Sequence, residues 1–258
     1  MRDQLHRPIN LENTPKRIVS LVPSQTELLV DLGLEEALVG ITKFCVHPIH
    51  LLKNKTIVGG TKQVHYDRII AVQPDIILCN KEENTKEMIQ ELEKIAPVHI
   101  SDVNTVEDAL ELIEKYGLLF SKEERARAMI REIAEKRQEF ADFVKDQPKK
   151  TTAYFIWKHP WMVAAKNTFI NEIMRGNGFL NYFEDPEVDL SRDQPESAEL
   201  VLLSSEPFPF KEEHKAEVQA YFPNATILIV DGEMFSWYGS RLVKAFDYFK
   251  TLHQHPLN

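Results

Sequence analysis

Short runs of consecutive apolar residues alternate along the chain with stretches in which apolar positions recur every three or four residues. The first kind reads as strands covered on both faces, the second as helices with one buried stripe. Residues 17–22, 39–42, 75–79 and 98–100 are predicted strands, and 25–32, 66–72, 85–94 and 105–116 predicted helices. Gly33 closes the first helix and Pro74 follows the second. Ser24 and Glu27 have capping-box spacing at the first helix start. From Ser121, with Glu124 as its capping partner, a helical stripe through Met129, Ile133, Phe140 and Val144 predicts one helix over 122–145, about 36 Å long. Alternation then resumes, with strands at 151–156, 199–203 and 226–230 and helices at 168–175, 211–221 and 240–252. The predicted fold is α/β: two Rossmann-like lobes, residues 1–118 and 151–258, joined by a single long helix within 119–150, with a ligand cleft between the lobes.

Charge and composition narrow the function. The 258 residues carry 31 Lys and Arg against 40 Asp and Glu, a net charge of −9 that opposes attraction to phosphate backbones, so nucleic acid is not an expected partner. Cys45 and Cys79, the only two cysteines, read as small buried thiols. The first twenty residues contain no apolar stretch of roughly 7–15 residues, and nowhere do about 18 apolar residues run together. As written, the chain is expected to be a cytoplasmic monomer; a periplasmic or cell-surface location is the alternative if an export segment precedes it.

Catalytic motifs are missing from the sequence: no G-x-G-x-x-G, no G-x-x-x-x-G-K-[ST] and no G-x-S-x-G. Ser24 at a helix start has no base at a supporting spacing, so an enzyme is not expected. Cys45 and His47 stand two apart, without the paired spacing of a zinc site. His47 reads as a loop histidine bonded to backbone, ligand contact or metal ligation being its other uses; no metal site and no intrinsic cofactor are expected.

Aromatic residues instead gather in loops that follow strands: Trp157 to Trp161, Ser204 to Phe210 with Glu206 among them, and Glu233 to Tyr238. Ligands of α/β sheets bind outside the carboxyl ends of the strands. Trp157, Trp161, Phe235 and Trp237 are therefore expected to form a flat apolar wall for a bulky ligand, with core packing as the competing use of each. Ser24 at a helix N-terminus, Arg241 near the start of the last helix, Lys62 and Lys158 are expected to favour carboxylate, phosphate or amide oxygens at the ligand's rim.

The segments Pro15 to Glu27, Val39 to Thr42, Phe44 ahead of Pro48, Asp67 to Ile77 and Asp231 to Arg241, in this order, resemble the class III substrate-binding proteins of ABC importers, the helical-backbone metal receptors, and most nearly their cobalamin-binding members. The resemblance implies a corrinoid, haem or ferric siderophore as ligand and an ABC permease as partner; a cytoplasmic corrinoid or metal-chelate carrier or accessory protein that uses the same cleft without a transporter is the alternative. It implies ligand contacts from loops holding Pro23, Ser24, Phe44, Trp157, Glu233 and Phe235. Thr61, beside Lys62, stands where relatives carry a loop aromatic. It also implies permease docking through one carboxylate per lobe: Asp67 in the first, and in the second the position of Ser236, with Glu233 nearby.

Overall fold

Strand β1 (Ile18–Ser20) has no exposed residue, a pattern that calls for cover on both faces of its sheet. In the computed structural model, which describes residues 1–190 and 197–254, the helices that follow each strand supply the cover. The elements after β1 are α1 (Pro23–Asp31), β2 (Leu38–Ile41), α2 (Leu51–Asn54), β3 (Thr56–Ile57), α3 (Tyr66–Ala71), β4 (Ile76–Asn80), α4 (Lys86–Leu92), β5 (Val98–Ser101) and α5 (Val106–Leu119). The five strands are parallel and lie in the order β3-β2-β1-β4-β5. One face of this sheet is packed with Val19, Leu21, Ile69, Ile77, Cys79, Leu92 and Ile100.

α6 (Glu123–Val144) is the long helix expected at 122–145, unbroken over 22 residues. After it come β6 (Lys150–Trp157), β7 (Met162–Val163), α7 (Phe169–Gly176), β8 (Phe179–Asn181), β9 (Leu200–Ser204), α8 (Glu212–Gln219), β10 (Thr226–Val230), α9 (Gly232–Ser236) and α10 (Leu242–Gln254). Their sheet has the order β10-β9-β6-β7; β8 pairs with β6 in parallel, and β7 is antiparallel to β6. Its core collects Phe155, Val201, Leu203, Phe210, Val218 and Phe222.

By contact the chain forms two units, Met1–Ile133 with Tyr238–Arg241, and Ala134–Trp237 with Leu242–Asn258. The division falls inside α6 rather than at its ends. The short segment Tyr238–Arg241, which the sequence reading places with the C-terminal lobe, belongs by contact to the first unit. Residues 255–258, the end of the expected second lobe, lie outside the described residues.

Local chemistry accounts for some boundaries and corrects others. Gly33 sits at φ +78° just past α1; its N–H bonds Val30 O at 2.8 Å and the Leu34 N–H bonds Leu29 O at 2.9 Å, a Schellman closure that needs the left-handed conformation. Neither expected capping box forms. α1 starts at Pro23, whose ring suits the first helical position, and Val22 takes the cap position without a side-chain bond. α6 starts at Glu123, and Ser121, at φ +56°, turns its hydroxyl to within 3.3 Å of Thr14 Oγ1.

Candidate functional site

Each sheet has one point at which strand order reverses. In the first unit β1, β2 and β3 step outward on one side, and the chain then returns to lay β4 against the other edge of β1. In the second, β7 and β8 flank one edge of β6, and β9 takes the other. Loops leaving the carboxyl ends of strands at such a reversal diverge and leave a crevice, the usual ligand position in open α/β sheets.

At the first reversal stand the start of α1, with Pro23 and Ser24, and the loop after β4. Both residues are buried, and the Ser24 hydroxyl has no partner in hydrogen-bond geometry among the described residues. The β4 loop is pinned by Asn84, whose Nδ2 donates to Thr61 O at 2.8 Å and whose Oδ1 accepts from Asn80 N at 2.8 Å. Thr61 is thus brought beside the reversal. Lys62 Nζ is bonded to the carbonyl of Glu82. Phe44, after β2, is 49% exposed and lies against Gly60, where an added Cβ would come within 3.2 Å of its ring. Lys43 Nζ stands 5.0 Å from the centre of that ring. His47 is half-buried, and the described residues contain no group of three or more side chains suited to a metal ion. Asp67 is exposed in the first turn of α3.

A buried polar network lies under this end of the sheet. Gln25 Oε1 accepts from Tyr116 OH at 2.6 Å, and its Nε2 donates to Ser101 Oγ at 2.6 Å and Tyr238 OH at 3.1 Å. Tyr238 is only 5% exposed, so it serves this network in place of the expected ligand contact. Arg241 is likewise buried, its guanidinium bound to Glu27. Burial pushes the Tyr116 and Tyr238 phenols up and keeps them as neutral hydrogen-bonding groups.

At the second reversal, Trp157 ends β6 and the loop from Ser205 follows β9. Trp157 is 39% exposed and meets Phe208 edge-on, ring centres 5.7 Å apart. Glu206 Oε1 accepts from Ser236 Oγ at 2.8 Å and Trp237 Nε1 at 2.9 Å. Burial raises the Glu206 pKa, and Glu233 and Asp231 add to the rise against those two bonds. Glu233 is half-buried on α9.

Two expectations fail here for physical reasons. The four-ring wall is reduced to one outward ring: Phe235 is fully buried between Tyr154 and Phe249, centres 5.0 and 4.9 Å away, and Trp237 is 7% exposed with its indole N–H spent on Glu206. Trp161 stacks parallel to Phe210 at 6.2 Å and caps the core. The cationic rim is absent as well, because Arg241 is paired with Glu27, Lys158 with Glu217 and Lys62 with a backbone carbonyl. The sequence reading missed Glu27, Gln25 and Ser236 as partners in these networks. Phe208 stood in a segment already marked as aromatic. An open groove of about 620 Å³ at the opposite, amino end of the first sheet runs between Arg7 and Asn10 on one side and Glu93 to Val98 on the other, away from the reversal.

Comparison with known proteins adds to this geometry. Residues 18–201 match the periplasmic binding protein family. A cobalamin-binding protein of Halobacterium salinarum is 24% identical over 208 residues, 80% of this chain and 56% of that protein. The chain spans 56–57% of the length of the first curated relatives it matches. Among solved structures, the periplasmic vitamin B12 binding protein BtuF of Vibrio cholerae superposes with a TM-score of 0.80 at 17% identity, covering 93% of this chain and 97% of that one. A periplasmic heme binding protein from Pseudomonas aeruginosa gives 0.80 at 21% identity, with 93% and 92% covered. At such identities the two structures establish a shared fold.

Proposed function

The chain belongs to the periplasmic binding protein family, and on that premise we propose that it is the substrate-binding component of an ABC-type importer, taking a corrinoid or a related metal chelate, haem or a ferric siderophore. The observation that carries the reading is the position of two of the exposed aromatic rings. Phe44 stands in the loop after β2 and Trp157 at the last position of β6, both at the carboxyl end of a sheet, Trp157 directly at the reversal of its own, and each is more than a third exposed. Aromatic faces held on strand ends suit a broad, partly apolar ligand. Pro23, Ser24 and Thr61 in the first unit and Glu206 and Glu233 in the second are the proposed polar and shaping contacts. The protein binds and releases its ligand without chemistry.

The names of the relatives support a periplasmic or cell-surface place of work over a cytoplasmic one. Asp67, exposed on α3, and Glu233 on α9 are the proposed permease contacts, and the carrier acts as a monomer.

Titration of the purified protein with cyanocobalamin, hemin and a ferric catecholate, followed by tryptophan fluorescence and calorimetry, tests the reading. Saturable binding of one of the three at micromolar affinity or better is expected. Absence of binding by all three overturns the proposal.

A further inference from the structure

Glu206 stands two residues past β9, beside the point where the chain leaves β6 toward one edge of the sheet and β9 toward the other, and its side chain is held in one pose. Oε1 accepts two hydrogen bonds, from Ser236 Oγ at 2.8 Å and Trp237 Nε1 at 2.9 Å, while Oε2 accepts none from any described residue. Ser204 Oγ, which donates to the Glu206 carbonyl, fixes the backbone beneath it. The residue is neither fully buried nor fully exposed.

No cation among the described residues pairs with this carboxylate. Lys158, just past β6 on the same rim, is bound to Glu217. The charges that bear on Glu206 from its surroundings, Glu233 and Asp231, are negative. A carboxylate with one oxygen tied and the other without a donor, in a field of its own sign, attracts N–H donors and repels anions.

We infer that Glu206 is the specificity residue of the second unit: its Oε2 accepts a hydrogen bond from an amide or amine N–H on the ligand and turns away ligands that would present a carboxylate there. This rests on the ligand reading above and narrows it. An amide-bearing corrinoid fits; a haem, whose rim carries propionates, is disfavoured at this position. The polarity is the reverse of the oxygen-seeking rim expected from Arg241, Lys62 and Lys158.

The probes are cyanocobalamin, rich in carboxamides, and hemin, titrated by calorimetry into the wild-type protein, Glu206→Gln and Glu206→Ala. Glu206→Gln keeps an acceptor oxygen for Ser236 and Trp237 and serves as the variant least disturbing to the fold, checked by an unchanged thermal midpoint. Cyanocobalamin affinity is expected to fall about tenfold or more in Glu206→Ala and by less in Glu206→Gln, because a neutral amide oxygen is the weaker acceptor. Hemin affinity is expected to stay level or rise in both. If the wild type binds cyanocobalamin and both variants match it, the inference is overturned and the ligand reading stands. Tighter binding of hemin than of cyanocobalamin by the wild type, with hemin weakened in Glu206→Ala, also overturns it. A wild type that binds neither overturns this inference, and the ligand reading falls with it only if the ferric catecholate also fails to bind.

Discussion

Arg241 holds Glu27 with two parallel hydrogen bonds, Nε to Oε2 at 2.8 Å and a terminal nitrogen to Oε1 at 3.0 Å, and both side chains are less than a tenth exposed. A pair so placed is worth little against a well-packed apolar replacement but a great deal against the loss of one partner. Arg241→Met, which leaves the Glu27 carboxylate buried without its guanidinium, is expected to destabilise the fold by about 3–5 kcal/mol. The double variant Glu27→Leu with Arg241→Met should recover most of that loss. Urea unfolding of the three proteins measures both numbers.

Exposure separates the aromatic residues by what their removal does. Phe235→Ala empties a site packed on every side, and a thermal or urea melt should show a loss of about 3–5 kcal/mol. Trp157→Ala should leave the melt within roughly 0.5 kcal/mol and instead weaken cyanocobalamin binding by about 0.5–1.5 kcal/mol beyond the area lost. The reverse outcome would make Trp157 a core residue and remove the ring on which the proposed function depends.

Acid should act on the first unit through His99. Its ring is fully buried, edge-on to Tyr116 at 5.2 Å, with no hydrogen-bond partner on either nitrogen among the described residues, and burial pushes its pKa down to about 4, with Lys115 and Arg7 lowering and Asp3 raising it. The unfolded chain takes up this proton near pH 6.5 and the folded one only near 4, so stability is full above the first value and falls as pH drops between them. The loss from this group is on the order of 3 kcal/mol across that window. His99→Leu should flatten the stability profile between pH 6.5 and 4 relative to wild type, read from urea midpoints at each pH.

Gly232 opens α9 where there is no room for a side chain. A Cβ there would stand 2.2 Å from Ser204 Oγ and 2.7 Å from Glu206 Cγ. Gly232→Ala is expected to cost about 1–3 kcal/mol by overpacking and to displace the Glu206 carboxylate. Loss of the Trp237 indole bond would then shift the tryptophan emission.

The architecture was legible because it rests on local pattern. Apolar runs such as 75–79 and 226–230 have one use in a chain of this composition, and the stripe through Phe140 fixed the long helix to within a residue at each end. Strands of two or three residues, β3, β7 and β8, carry no period and left no trace in the pattern. The site was legible in place and not in direction. Phe235 and Trp157 both follow strands, but which ring turns inward depends on Tyr154 and Phe249, distant in sequence. Ser24 and Glu27 have the spacing of a cap, yet Glu27 is drawn to a guanidinium 214 residues away. Charge pairing at that distance leaves no local mark, so Glu27 reads as part of a helix start and Arg241 as part of a cationic rim when the two are one buried ion pair.

The return of Tyr238–Arg241 to the first unit means that the gene cannot be cut in two at the long helix. A fragment ending within that helix would contain every strand of the first sheet and still leave the Glu27 carboxylate and the Gln25 amide buried with partners missing. Such a half should be recovered in soluble form only when the remainder of the chain is co-expressed with it, and a protease nick in the stretch before Tyr238 should leave the two pieces associated until denaturant parts them.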